Sequence, residues 1–409
     1  MKKGNSILKI KGVFREGTSF KFFLLSVLIT GISYGLYKGI LDNFLAEIVQ
    51  IEEAGRGVTE FFRELPGILL VFILAAFYML SAENIFKIGA VIMLVGLGMH
   101  AALPPTKVLT VLAICVYSIG EHMQIGMKST LSLKYATQGN GGAALGAQNS
   151  VNQIGTLFGY IVVVAVFSFV TSKQPYKEFF ILAAGLALVA VLINLRLLGK
   201  SETSKTKRFY FHRKYKKYYM LEMFYGARKQ VFLTFGPYVL ILFYKANAAM
   251  VSLLFAVSAI ACFFFSPIIG KIIDRVGYKA VMVADTLILV IVCFFYGFAH
   301  RIFPMNVAFI ICCVNYVLDA VISLASMASN MYVKDLSDND DEVKATISTG
   351  VSINHVITIF IALFGGWIWE TLGIETLFVC SAVLGLLNSA YAASIKTKKQ
   401  QMQVWGGKQ

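Results

Sequence analysis

Ionisable side chains interrupt long apolar runs at a few places in this 409-residue chain. Lys38 and Asp42 stand four apart and Glu121 and Lys128 seven apart, so each pair shares one face if its run is helical. His122 adjoins Glu121, and Arg228 adjoins Lys229. Asp319 opens a polar series continued by Ser323, Ser326 and Asn330 at helical intervals. Asp285, Asn354 and His355 are further polar groups in apolar surroundings. An ionised group at the centre of a bilayer costs roughly 2.5–3.5 kcal/mol on insertion scales, so such groups face a cavity or one another. Two uses compete. The charges can pair and hold the chain together, Glu121 with Arg228 or Asp319 with Lys38. Alternatively the bases bind an anionic or zwitterionic solute while Glu121 or Asp319 carries a proton. Asp285 reads as structural, and His355 beside Asn354 as a candidate for the cavity.

A second constellation is Thr59-Glu60-Phe61-Phe62-Arg63-Glu64-Leu65-Pro66-Gly67. Glu60 and Glu64 flank Arg63 at the start of an apolar run, near the outer surface, and Pro66-Gly67 can bend a helix. The stretch reads as an outer gate, with a solvated helix start as the alternative.

The elements that must position these residues follow from composition. Hydrophobic residues make up 57% and charged residues 14%, against roughly 45–50% and 25% in soluble domains. Mean hydropathy is +0.72. A chain of that kind is a multi-pass membrane protein. With about 20 apolar residues needed per span, the segments fall at 21–49, 59–80, 84–102, 107–133, 145–171 and 177–198, then 218–244, 247–269, 279–299, 303–333, 346–369 and 374–395. The expected class is all-α, with twelve transmembrane helices in two six-helix bundles. These are 21–198 and 218–395, with an N-terminal segment 1–20, a basic linker 199–217 and a tail 396–409. The net charge of +15 gathers at the two ends and in the linker, which carries Lys200, Lys205, Lys207, Arg208, Arg213, Lys214, Lys216 and Lys217 against Glu202. Lys/Arg excess marks cytoplasmic loops, so both termini and the linker are expected in the cytoplasm, with the protein in the cell membrane. Lys2, Lys3, Lys9, Lys11 and Arg15 at the start and Lys396, Lys398 and Lys399 at the end agree. The linker's Phe209, Tyr210, Phe211 and Tyr215 suit an anionic lipid surface better than nucleic acid. The acidic loop Asp335-Leu336-Ser337-Asp338-Asn339-Asp340-Asp341-Glu342 departs from the basic pattern, but acids count little in that rule. The six cysteines, Cys115, Cys262, Cys293, Cys312, Cys313 and Cys380, lie in apolar runs without metal-ligand spacing.

The halves echo each other. Tyr34-Gly35-Leu36-Tyr37-Lys38 resembles Tyr225-Gly226-Ala227-Arg228-Lys229, and Lys87-Ile88-Gly89-Ala90-Val91 matches Lys279-Ala280-Val281. Ser150-Val151-Asn152-Gln153 pairs with Ser352-Ile353-Asn354-His355. Weak internal symmetry of this kind marks duplicated transporter folds. Gly155-x-x-x-Gly159 signals close helix packing. Between the eighth and ninth segments stands Gly270-Lys271-Ile272-Ile273-Asp274-Arg275-Val276-Gly277-Tyr278-Lys279. Here Gly270 permits close helix approach, Gly277 a tight turn, and Asp274 a pairing with Arg275 or another base.

That loop resembles the G-x-x-x-D-R-x-G-R-K signature of the major facilitator superfamily, with Tyr278 in place of Arg. The resemblance implies two bundles that alternate access to a central site lined by the first, fourth, seventh and tenth helices. It also implies a gating loop made by Gly270, Asp274, Arg275, Gly277 and Lys279. The equivalent stretch of the first half, Tyr78-Met79-Leu80-Ser81-Ala82-Glu83-Asn84-Ile85-Phe86-Lys87, lacks the Gly-Asp-Arg-Gly frame. The fifth segment lacks the proline-bearing motif of drug/proton antiporters. No phosphate-binding loop, zinc-protease motif or nucleophile elbow is present in the sequence, so neither ATP-driven transport nor an enzyme is expected. The expected function is secondary active transport of a small polar solute, anionic or zwitterionic, in symport with protons. An exporter, antiporter or facilitator of the same fold is the alternative, and a non-transporting receptor a more distant one. The expected partners are solute, protons and the lipid bilayer, for a monomer with no cofactor, metal or nucleic acid.

Overall fold

The computed structural model describes residues 12–15, 18–76, 80–138, 140–170, 175–198, 211–338 and 340–395. The bases at 2, 3, 9, 11, 200, 205, 207, 208, 396, 398 and 399, with Glu202, Phe209, Tyr210, Tyr78, Met79 and Asn339, lie outside the described residues. In chain order the helices are α1 (Ser19–Glu47), α2 (Glu53–Ala76), α3 (Ala82–Ala102), α4 (Lys107–Tyr135), α5 (Gly141–Phe167) and α6 (Tyr176–Asn194). They continue as α7 (Lys216–Leu242), α8 (Ala248–Val276), α9 (Tyr278–Ile302), α10 (Met305–Ile322), α11 (Met327–Leu336) and α12 (Asp340–Ala393). The apolar run expected at 303–333 is divided by a 3-10 turn, Ser323–Ser326, into α10 and α11. The break expected between 369 and 374 falls at Gly373, whose φ of +87° bends α12 into two limbs. That left-handed backbone favours glycine because it has no Cβ. Gly277 does the same between α8 and α9 with φ +87°, as the turn in that loop requires.

The helices form because apolar runs continue without interruption and their ends are marked. Ser81 accepts from the Asn84 N–H at 3.3 Å and so caps α3. Thr106 caps α4 through the Leu109 N–H at 3.3 Å, after Pro104-Pro105 has stopped α3. Nine stretches among the described residues are long and apolar enough to cross a membrane. Helices α2 and α7 fall outside that set because they carry more charge. Exposed Phe158, Ile161, Leu182, Phe263, Phe264, Phe364 and Trp367 give the outer faces an apolarity that hydrocarbon, rather than water, solvates.

Contacts divide the chain into two units. The first comprises Met1–Gln50, Leu69–Lys205 and Asn247–Leu253. In it α1 is central and packs on α5 through glycines. A Cβ at Gly35 would collide with the Thr156 carbonyl, and one at Gly155 with that of Leu28. The small-residue spacing read in the sequence thus produces near backbone contact. Gly89 and Gly120 bring α3 and α4 together in the same way. Aromatic rings fill the space that remains, with Tyr37 against Tyr117 at 4.3 Å and His100 stacked on Phe180 at 4.7 Å.

The second unit comprises Ile51–Ile68, Thr206–Ala246 and Leu254–Gln409. Here α7 packs on the first limb of α12, where Gly226 lies against the Asn354 side chain and Gly350 against Tyr218. The echo between Tyr34-Gly35 and Tyr225-Gly226 therefore has a structural content, since both glycines seat a neighbouring helix. One linker aromatic departs from expectation. Tyr215 is fully buried, in a cluster with Tyr218, Tyr219, Tyr278 and Tyr332. Phe211 stays exposed but stacks on Tyr219 at 4.8 Å. The departure has a clear cause: the last linker residues form a 3-10 turn, Arg213–Tyr215, that carries straight into α7. Tyr215 Oη meets Ser337 Oγ at 2.8 Å, and Lys214 pairs with Asp338 at 2.9 Å and Glu342 at 3.7 Å. The acidic loop that broke the charge pattern is thus held by the basic linker. Partial burial pulls the Lys214 ammonium down, but the Asp338 hydrogen bond and the two acids outweigh it and leave its pKa raised.

Replacing Gly35 by Leu is expected to destabilise the first unit by at least ~1–3 kcal/mol of overpacking. Gly98→Ala, where nothing among the described residues lies within 4 Å, should not destabilise. Thermal unfolding of the two variants in detergent checks the contrast.

Candidate functional site

In the charged start of α2, which belongs to the second unit, Arg56, Glu60 and Glu64 are buried and Arg63 is half-buried. Arg56, Glu60 and Arg63 recur at helical intervals along one face of α2. Glu60 is 1% exposed and Arg56 2%, so the solvated alternative does not hold for them. Arg56 Nη1 donates to Glu60 at 2.9 Å and Arg63 Nη2 at 2.6 Å. Arg63 also pairs with Glu64. Gln230 of α7 donates its amide to Glu60 at 3.0 Å and to Thr234 Oγ1 at 2.8 Å. His355 Nδ1 of α12 meets Glu64 at 2.8 Å. The Arg56 guanidinium lies over the Tyr238 ring, and Tyr238 Oη donates to the Ile51 carbonyl at 2.6 Å. Close backbone approach allows this: a Cβ at Gly57 would collide with the Ala362 carbonyl, and Gly366 sits on Ala54. The result is a polar clasp that joins α2 to α7 and to the first limb of α12. Gln230 stands midway along α7.

A second buried pair joins α7 to α9. Arg228 Nη2 meets Asp285 at 2.8 Å, with both side chains buried and the guanidinium 5.1 Å from the Tyr225 ring. Tyr225 Oη donates to the Ser323 carbonyl at 2.6 Å, at the break between α10 and α11. The partners expected for Arg228 and Lys38 were Glu121 and Asp319. Within its own unit Arg228 pairs with Asp285, and Lys38 with Asp42 at 2.8 Å one turn on in α1. A partner on the same helix or an adjoining one satisfies a charge without any further rearrangement.

The other expected residues are distributed as follows. Glu121 and Lys128 are half-buried on α4, and Lys128 reaches Asn152 of α5 at 3.3 Å. Lys229 is exposed on α7, Asp319 is half-buried near the end of α10, and Asn330 is exposed on α11. In the last turn of α8 Asp274 and Arg275 are exposed, and at the start of α9 Lys279 donates to the Ile395 carbonyl at 3.0 Å. Gly270 has nothing within 4 Å, so the close helix approach expected there is not made among the described residues. In the first unit Glu83, in the stretch that lacks the signature frame, is buried and pairs with Lys134 at 3.0 Å. Sequence reasoning missed Arg56, Gln230 and Tyr238. The signal was present: Arg56 is four residues from Glu60, while Gln230, Thr234 and Tyr238 repeat every fourth residue.

Residues 218–403 match the family model described as the Major Facilitator Superfamily. No curated protein matches the chain in sequence. Among solved structures it resembles a mutant of the nucleoside transporter NupG, at 17% identity and a TM-score of 0.73, over 93% of this chain and 100% of that one. It also resembles a mutant of the peptide transporter POT in complex with sulfate, at 12% identity and 0.71, over 93% and 96%. A D-xylose-proton symporter matches at 14% identity and 0.71, over 92% and 98%. At these identities the likeness is one of fold.

Removing one member of a buried pair strands the other, at a cost of about 3–5 kcal/mol. Arg228→Met is therefore expected to lower stability by that amount, and the double variant Arg228→Met/Asp285→Leu to recover most of it. Denaturation of both in detergent measures the difference.

Proposed function

We propose that this chain, of the Major Facilitator Superfamily by its match over residues 218–403 and by its fold, is a secondary active transporter. It moves a small polar solute, anionic or zwitterionic, by alternating access and in symport with protons. It does so in the cell membrane with both termini in the cytoplasm. The observation that carries this reading is the buried ionic clasp of Arg56, Glu60, Arg63, Glu64, Gln230 and His355 inside a superfamily fold. Charged groups sealed between membrane helices are expensive. A transporter has a use for them, because they are contacts that form in one state of the cycle and part in another.

Of the substrate-site charges expected from the sequence, those without an ion-pair partner among the described residues are proposed to meet solute. In the second unit these are Lys229 and Asp319; in the first they are Glu121 and Lys128. Arg228 and Lys38, each held by an acid on its own unit, are proposed to set helix position instead. The solved structures of like fold include proteins named for nucleosides, peptides and D-xylose with a proton, all of them polar solutes. This supports the class of solute and leaves its identity to experiment.

A thermal-shift screen of small metabolites on the purified chain should find a stabilising solute, worth about 2.7 kcal/mol at a hundred times its dissociation constant. Counterflow of that solute in vesicles should rise with an imposed proton gradient. Lys229→Ala and Asp319→Asn should each lower it at least about tenfold, the equivalent of ~1.4 kcal/mol. Binding without counterflow would assign a receptor, and counterflow indifferent to the gradient a facilitator.

A further inference from the structure

Six acidic side chains are buried among the described residues: Asp42, Glu60, Glu64, Glu83, Glu222 and Asp285. Five of them meet a base. Asp42 has Lys38, Glu60 has Arg56, Glu64 has Arg63, Glu83 has Lys134 and Asp285 has Arg228. Glu222, two turns into α7 from its linker end, meets none within ion-pair distance among the described residues. Its partners are neutral. Ser329 Oγ of α11 lies 2.7 Å from its Oε1, and the Asn354 amide of α12 reaches its backbone carbonyl at 3.3 Å. The charged and titratable groups nearest it, Lys229 and Tyr218, are both on α7 itself, and Lys229 is exposed. Helices α11 and α12 present no charge to it among the described residues. A buried carboxyl without a basic partner needs something else to neutralise it.

The surroundings of Ser329 suit a proton. Its hydroxyl is 2.7 Å from the Glu222 carboxyl and 2.9 Å from the Ser326 carbonyl oxygen. A hydroxyl has one proton to donate and two lone pairs with which to accept. With Glu222 ionised, Ser329 donates to the carboxylate. With Glu222 protonated, the carboxyl donates to Ser329, and the Ser329 proton turns to the Ser326 carbonyl. Both forms are thus hydrogen-bonded without movement of the backbone. Ser326 and Ser329 also line a small cavity of about 20 Å³, together with Tyr225, Asp285 and Asn388. That is room for about one water. Asn388, which lines this cavity, has its Oδ1 buried without a hydrogen-bond partner among the described residues, so a water there has an acceptor on a lining residue and a hydroxyl beside it through which a proton can pass.

The geometry points to Glu222 as the carboxyl that takes up and releases the coupling proton, with Ser329 as the hydroxyl that serves both of its forms. The inference rests on the proton-coupled reading above. The step is a single O–H bond made and broken: a proton from bulk water joins the carboxylate and later leaves to water.

Infrared difference spectroscopy of the purified full chain, stepped from alkaline to mildly acidic buffer, reads carboxyl protonation without needing the solute. A titrating carboxyl band is expected in the wild type and should vanish in Glu222→Gln. Ser329→Ala removes a charge-assisted bond from the ionised form and a weaker neutral bond from the protonated form, so the midpoint of the band should rise by about one pH unit, the difference between the two. A band that persists in Glu222→Gln, or a midpoint unmoved in Ser329→Ala, overturns the inference; should Glu222→Gln not fold, Ser329→Ala alone decides. Counterflow with no Glu222 band contradicts this inference and leaves transport standing. A Glu222 band in a protein that moves no solute supports the site and contradicts transport.

Discussion

An ionised side chain in a medium of low dielectric must find an opposite charge or a dense set of hydrogen bonds, because the desolvation penalty is several kcal/mol per ion. That constraint organises both units. In the first it joins Lys38 to Asp42 along α1 and Glu83 on α3 to Lys134 on α4. In the second it joins Arg228 on α7 to Asp285 on α9, and it builds the larger cluster around Glu60. Helices α2 and α7 carry too much charge to pass as simple apolar spans, yet they form long helices. The buried bases Arg56 and Arg228 and the acids Glu60 and Glu64 are met by opposite charges or hydrogen bonds from one another and from neighbouring helices.

Buried ion pairs are weak evidence for stability, since apolar replacements of equal volume often do as well. Their geometric demands are a better account of why they stand here. Glu60 accepts from Arg56, Arg63 and Gln230 only when α2 and α7 have one rotation and one height relative to each other. A contact of this kind has two discrete conditions, made or broken, whereas the glycine-packed seam between α1 and α5 is closed by backbone contact along its length. The clasp is the sort of element that a conformational cycle can switch, and the seam the sort that moves as a body.

Much of this was legible in the sequence. Length of apolar run and charge placement gave the membrane-spanning class, and the spacing of Gly155 and Gly159 gave a helix contact that the structure contains. The repeated Tyr-Gly at 34–35 and 225–226 marked equivalent seats in the two halves. What the sequence left open was which charge pairs with which. Periodicity assigns a residue to a face of its helix, but the neighbour of that face depends on how helices rotate and slide in three dimensions. Spacing therefore does not reveal that Arg228 meets Asp285 on α9, nor that Tyr215 packs among tyrosines rather than lying at a lipid surface. Glu222 is set apart by having no basic partner among the described residues, which no spacing rule reveals.

The central claim is that the polar interior opens to the two sides of the membrane in turn. The most direct measurement is labelling of a single cysteine at the exposed Lys229 position, in a chain whose six native cysteines have been replaced. In sealed vesicles of known orientation, Lys229→Cys should react with membrane-impermeant reagent added from either side, and a saturating solute should change the ratio of the two rates. Reaction from one side alone, whatever solute or gradient is applied, would contradict the account.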